Sequence, residues 1–246
     1  MQQNTDNLQH KEAVIVMTRV PEPGRTKTRM MPFLSAEQCA ELHAHLLEDV
    51  RRTCSQVSAD LFVCYAPAKS AERVRATFGP RASYLLQQGS DLGERMHHAV
   101  SDVLARGYDS CVLIGADAPE LQPSDVEAAF EALGESDIVL GPARDGGYYL
   151  IGMSHPYAEV FDVRKYGQDG VLEDTLRNAS RLSLSCRTLR PLHDLDTSED
   201  LYELLARSKA DKYARSSATA GYLARMLDCG MGCTLGCGTP AYGRSA

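Results

Sequence analysis

The chain has 246 residues, 43% of them apolar, with 26 Lys and Arg against 33 Asp and Glu for a net charge of −7. That balance supplies no overall basic field to draw nucleic acid, and no apolar run approaches the roughly 20 residues of a membrane-spanning helix. The first eleven residues are polar and lack the apolar stretch of a secretory leader, so a cytoplasmic protein is expected.

Residues 1–12 read as a flexible N-terminus. Residues 13–18 (Ala-Val-Ile-Val-Met-Thr) read as a first strand. Ser35, with Gln38 three positions on, forms a capping box that opens a helix whose apolar stripe is Leu42, Leu46 and Val50. A strand over 61–65, a charged helix over 71–78 and a short strand over 84–87 follow. Residues 92–106 form a helix carrying Met96, Val100, Val103 and Leu104. Further strands are expected at 111–115, 137–141, 148–153 and 182–189, and helices at 124–133, around 171–176 and from Thr197 to about Arg207. Strands separated by helix-length spacers predict βαβ units, a mostly parallel sheet and right-handed crossovers. One domain is expected over 13–210, followed by a terminal helix over 211–228 and a Gly/Cys-rich tail over 229–246.

Five cysteines, Cys39, Cys54, Cys64, Cys111 and Cys186, fall inside expected elements, where thiols behave as small hydrophobes. Cys229, Cys233 and Cys237 stand at equal spacing in the tail. They match no standard zinc or iron–sulfur spacing, so metal binding there stays open.

Five segments carry chemistry. After the first strand comes Pro21-Glu-Pro23-Gly24-Arg25-Thr-Lys27-Thr-Arg29, which joins rigid prolines, a glycine that permits close approach, and three cations. Such a loop suits a polyphosphate, Lys27 as a point charge and Arg29 as a bidentate fork; a solvated basic loop is the plain alternative. It is not a Walker A loop. Residues 112–119 (Val-Leu-Ile-Gly-Ala-Asp-Ala-Pro) read as a buried strand ending on Asp117, at the sheet edge where ligands of open α/β sheets bind. The alternative role for Asp117 is to cap the helix after Pro119. In Asp145-Gly146-Gly147-Tyr148-Tyr149, the glycines make a hairpin turn or let backbone approach a substrate. Asp145 would face the pocket, and alternation allows one tyrosine to face it. Asp91 caps the helix opened by Leu92, and Arg95 one turn in can share a phosphate or ribose site. Asp196 ends an extended stretch and could complete a metal site with Asp117, or cap the last helix, a role Thr197 fills equally well. His97 and His98, like His43 and His45, point to different helix faces and make poor joint ligands.

Taken in order, Pro-x-Pro-Gly-x-x-Lys-Thr-Arg, Asp-Leu-Gly-x-Arg-Met, Ile-Gly-x-Asp-x-Pro-x-Leu, Gly-Pro-x-x-Asp-Gly-Gly-Tyr-Tyr-Leu and Asp-x-Asp-Thr-x-x-Asp-Leu resemble the DUF2064 family. This family is also called radical-SAM/selenodomain-associated transferase 1, within the nucleotide-diphospho-sugar transferase (GT-A) superfamily. The resemblance covers 13–205. It implies a GT-A-like, Rossmann-type three-layer α/β/α sandwich with a mixed, mainly parallel sheet. It also implies a metal held by one carboxylate after the central strand and one from the late segment, here Asp117 and Asp196. A Trp-containing stretch of that family is replaced here by Val-Arg-Lys-Tyr-Gly at 163–167, in a chain without Trp, so acceptor recognition is expected to differ.

The reading that follows is a metal-dependent transferase using a nucleotide-diphospho-sugar or NTP donor with Mg²⁺ or Mn²⁺. Lys27, Asp117 and Asp145 would be catalytic. Pro23, Gly24, Lys27, Arg29, Asp91 and Arg95 would bind nucleotide phosphates, Gly146, Gly147 and Tyr148 the acceptor or sugar, and Asp117 and Asp196 the metal. Glycosyl and nucleotidyl transfer remain open, as does the acceptor. The alternatives are a non-catalytic nucleotide-binding module, or a metal or redox partner acting through the cysteine tail.

Overall fold

A computed structural model describes residues 10–69, 71–164, 166, 167 and 170–228. The cysteine tail and its metal reading lie outside the described residues. The elements run β1 (Glu12–Arg19), α1 (Ala36–Cys54), β2 (Asp60–Ala66), α2 (Ala71–Phe78), β3 (Ser83–Leu86), α3 (Leu92–Leu104), β4 (Ser110–Ile114), α4 (Pro123–Leu133), β5 (Ile138–Pro142), β6 (Tyr148–Met153), α5 (Val171–Arg181), β7 (Cys186–Thr188), α6 (Ser198–Ala210), α7 (Lys212–Ser216) and α8 (Ala218–Asp228).

The strands form one seven-stranded sheet in the order β3-β2-β1-β4-β6-β5-β7. Pairings are parallel except β4 with β6 and β5 with β6. The sheet is thus mixed and mainly parallel, as expected. Its central strands β1, β4, β5 and β6 are largely apolar because both faces are covered. Along β1, Val14 and Val16 face the core formed with α1, α2 and α4, while Ala13, Ile15 and Met17 face the core under α3 and α5. This period-2 division fixes register, since a one-residue slip would exchange the two cores.

Two expected boundaries are corrected. Residues 182–189 do not form a long strand: α5 continues to Arg181 and β7 keeps three residues. Leu172, Leu176 and Ala179 continue one apolar helix face, and Leu182 is turned out to solvent at 38% exposure. The terminal helix expected over 211–228 is two helices, interrupted at Ser217, which is extended (φ −65°, ψ 142°).

Helix α1 is buried on both sides. Leu47 and Val50 meet the sheet, whereas Cys39, Leu42 and Leu46 meet Leu201, Leu204, Tyr222 and Leu223 of α6 and α8. Asp49, 7% exposed, locks this packing: its carboxylate accepts from the Ala218 and Thr219 N–H groups, which open α8. Those donors have no partner inside their own helix. Asp49→Ala is therefore expected to cost about 2 kcal/mol, read as a melting temperature lowered by roughly 4–8 °C for a chain of this size. An unchanged melting curve would remove Asp49 from this role.

Topology brings the candidate segments to one edge. β1 and β4 are parallel neighbours, with Val16 opposite Ile114, so the basic loop and Asp117 leave the sheet side by side. β5 runs parallel to β4, and its turn into β6 carries Asp145 at the same edge. The 192–196 segment closes the edge: Leu192 bridges Ala143, and the Leu195 N–H donates to the Asp117 carbonyl (2.9 Å).

Candidate active site

These segments line one cleft of about 630 Å³. Lys27, Arg29, Asp91, Arg95, Asp117, Asp145, Gly147, Tyr148 and Asp196 all line it, whereas Pro23, Gly24 and Gly146 do not. Gly24 shapes the loop through its backbone. It has φ +74°, and a Cβ there would meet nothing within 4 Å, so the position needs glycine for the turn.

Lys27 is the centre of the site. Its side chain is 4% exposed, with Nζ 2.7 Å from Asp117 Oδ1 and 2.9 Å from Asp196 Oδ1. Nζ also donates to the Leu195 carbonyl at 2.6 Å. Lys27 itself lies in the left-handed region (φ 50°, ψ 39°), which costs a non-glycine residue about 1–2 kcal/mol. Burial opposes its charge, but the two carboxylates prevail and hold the ammonium above its ordinary pKa. Burial likewise works to raise Asp117, yet Lys27 keeps that carboxyl below its usual value. Arg29, 61% exposed, reaches Asp196 Oδ2 at 3.2 Å.

The alternative roles sort cleanly. The helix after Pro119 starts at Pro123, with Gln122 at its N-cap, so Asp117 is not its cap. Thr197 caps α6 by accepting from the Asp200 N–H, which leaves the Asp196 carboxylate to the cleft. Asp91 does both jobs, lining the cleft and capping α3 through the Glu94 N–H (2.9 Å). Arg95 donates to the Gly89 carbonyl (3.0 Å), closing the loop before that helix. Asp145 Oδ1 accepts from the Gly147 N–H (2.9 Å), so the turn and the site coincide. Tyr148 packs toward the α3 core, its hydroxyl 3.9 Å from Met96 sulfur. Tyr149 is a prop: it packs in the opposite core and donates to the Arg190 carbonyl. A Cβ at Gly141 would lie 2.5 Å from its ring. Gly93 has a similar cause. A Cβ there would come within 2.6 Å of the Phe161 carbonyl and 2.9 Å of the Tyr166 ring, and Tyr166 lines the cleft.

Two cleft residues escape sequence reasoning. Asp194 lines the cleft. Burial, reinforced by Asp145, Asp117 and Asp196 and opposed by Lys27, pushes its carboxyl up to about 8. Its signal lies in the Asp194-x-Asp196 spacing, since residues two apart on an extended segment share a side. His43 makes no joint ligand with His45, but singly it lines the cleft floor. Its Nε2 is 3.1 Å from both Thr18 Oγ1 and the Arg19 carbonyl, and burial keeps it neutral by lowering its pKa. Nδ1 has no partner among the described residues.

The cleft lining therefore carries Arg19, Arg25, Lys27, Arg29 and Arg95 against Asp91, Asp117, Asp145, Asp194 and Asp196. Three of the acids, Asp117, Asp194 and Asp196, lie on the β4 and 192–196 side. Like charges that raise Asp194 are relieved by added positive charge, and an all-oxygen donor set suits a hard divalent cation. Among the described residues no three acidic, imidazole or thiolate groups gather into a ready-made cage. A cation on Asp117 and Asp196 would complete its shell with substrate oxygens and water, the habit of Mg²⁺.

A mixed, mainly parallel sheet delivering a basic loop and several carboxylates to one crevice gives the chain a GT-A-like fold. The chain belongs to the DUF2064 family, whose model, described as "Uncharacterized protein conserved in bacteria", matches residues 49–168. It is similar to a crystal structure from Desulfovibrio desulfuricans G20, provisionally described as a nucleotide-diphospho-sugar transferase. Identity there is 34%, over 89% of this chain and 96% of that one, with TM-score 0.83. It is also similar, at 26% identity over 83% of this chain and 99% of the relative, to phosphoenolpyruvate guanylyltransferase of Sphaerobacter thermophilus. CMP-2-keto-3-deoxy-manno-octonic acid synthetase, in complex with CTP, shares the fold (TM-score 0.53, 13% identity, 81% of this chain and 99% of that one). No helix among the described residues is long and apolar enough to cross a membrane.

Proposed function

We propose that this chain is a nucleotidyltransferase that joins the α-phosphate of a nucleoside triphosphate to a small acceptor and releases pyrophosphate. An acceptor oxygen attacks the α-phosphorus, the bond to the bridging α–β oxygen breaks, and its electrons leave with pyrophosphate. The observation that carries this reading is one cleft lined by Arg19, Arg25, Arg29 and Arg95 together with Asp117, Asp194 and Asp196, the acids gathered around Lys27. A triphosphate calls for more positive charge than a diphosphate, and a site for a charged donor must also orient a nucleophile. Likeness to a guanylyltransferase over nearly its whole length adds support.

Arg25 and Arg29, 71% and 61% exposed and held by Glu22 and Asp196, would grip phosphate oxygens bidentately by turning from those carboxylates. Arg95, at the start of α3, adds charge beside a helix N-terminus. Asp145 orients the acceptor or takes its proton, and Gly147 and Tyr148 form the wall beside it. Asp117 and Asp196, with Asp194 next to them, would hold Mg²⁺ or Mn²⁺, which when bound offsets phosphate charge.

The test is product analysis. Purified protein with Mn²⁺ or Mg²⁺ is incubated with each NTP, with and without phosphoenolpyruvate, and parallel samples receive nucleotide-diphospho-sugars. Acceptor-dependent pyrophosphate release from one NTP, GTP being the first to try, is expected. Release of NDP from a nucleotide-sugar with no pyrophosphate from any NTP would instead establish glycosyl transfer.

A further inference from the structure

Lys27 is fully engaged by the protein itself. An ammonium has three hydrogens, and Nζ has three acceptors: Asp117 Oδ1, Asp196 Oδ1 and the Leu195 carbonyl. At 4% exposure it presents nothing to a phosphate. Yet the two oxygens it spans belong to the pair that, on the reading above, accepts a divalent cation. An ammonium and a divalent cation cannot share those oxygens at contact distance without strong repulsion.

We propose that Lys27 is a placeholder cation. In the metal-free protein its ammonium bridges Asp117 and Asp196. It leaves both carboxylates for the donor's phosphates when they accept a divalent cation. The inference rests on the assignment of those acids as metal ligands. Its physical content is competition. Without a phosphate to receive it, the displaced ammonium would sit partnerless in a low-dielectric cleft, which is costly. Metal and nucleotide binding are therefore coupled through one side chain, each tightening the other by the same factor. The left-handed backbone at Lys27 fits a residue held by its side-chain partners.

Mn²⁺ binding, read from the EPR signal of the free ion, tests this in wild type and Lys27→Met, with and without a non-hydrolysable GTP analogue. Wild type is expected to bind Mn²⁺ at least about tenfold more tightly with the analogue present. Lys27→Met is expected to bind Mn²⁺ alone at least about tenfold more tightly than wild type, and to lose most of the analogue's effect. Its metal-free melting temperature should fall and be restored by Mn²⁺. Equal or weaker Mn²⁺ affinity in Lys27→Met overturns the placeholder role alone. Absence of Mn²⁺ binding in both proteins, analogue included, overturns the metal assignment with it. Should the variant not fold, reductive methylation of wild type decides. Lys27 is expected to be protected without metal and modified at saturating Mn²⁺, and continued protection at saturation refutes the exchange.

Discussion

Asp117→Asn is expected to lower kcat/KM for pyrophosphate release by about 10²–10³-fold, roughly 3–4 kcal/mol of transition-state stabilisation. The substitution keeps the shape of the side chain and removes its charge. That charge has two duties in the proposed reaction: to hold the cation that offsets the triphosphate, and to partner Lys27 while the cation is absent. Stability should suffer far less. The side chain is 46% exposed, its backbone carbonyl still accepts from the Leu195 N–H, and Lys27 keeps Asp196 and the Leu195 carbonyl. Asp145→Asn is the informative companion. An Asn oxygen can still accept from the Gly147 N–H, so the turn survives and only the charge beside the acceptor is lost. A smaller drop, about tenfold, is expected there. Steady-state turnover and melting temperature measured on the same preparations separate chemistry from folding. A folded Asp117→Asn enzyme that kept more than half its turnover would remove Asp117 from the mechanism.

Most of the architecture was legible because doubly covered strands announce themselves as short apolar runs. β1, β2 and β4 stand where those runs are, and the capping box at Ser35 opens α1 as expected. The antiparallel β6 was legible as a strand but not in its direction, which depends on a hairpin whose Asp-Gly-Gly turn also serves the cleft. β7 was overdrawn because Leu182 and Leu184 look strand-like, although the helix stripe of α5 runs through to Arg181. Within the cleft, residue types predicted location well: a carboxylate, or a cation in a loop, at the carboxyl edge of a parallel sheet has few other places to be. Pairing was not legible. That Lys27 would turn inward to Asp196, 169 residues further on, depends on the 192–196 segment lying against Asp117, a contact between distant parts of the chain. Asp194 escaped for a related reason: its environment comes from three other segments, although its spacing from Asp196 was in plain view.

Asp194 is expected to make the metal-free protein less stable as pH rises. Burial and the neighbouring acids push its carboxyl from an ordinary 3.8 up to about 8. Between those values the native state keeps a proton that the unfolded chain has released, so stability falls as pH rises through this window. Each pH unit separating the folded and unfolded titrations corresponds to about 1.4 kcal/mol, which sets a ceiling of roughly 5–6 kcal/mol. Relaxation and partial solvation bring the expected figure to the order of 2–4 kcal/mol. Asp194→Asn stays neutral throughout and escapes this loss. In EDTA, the variant and wild type should melt closest together near pH 4, and the variant should melt roughly 5–15 °C higher at pH 8.5. The separation should open from about pH 4 and be complete near pH 8, because the native and unfolded protonation of Asp194 differ between 3.8 and about 8. Parallel melting curves over pH 5–9 would mean that Asp194 ionises normally, and that the acidic wall of the cleft is better solvated or better paired than its geometry indicates.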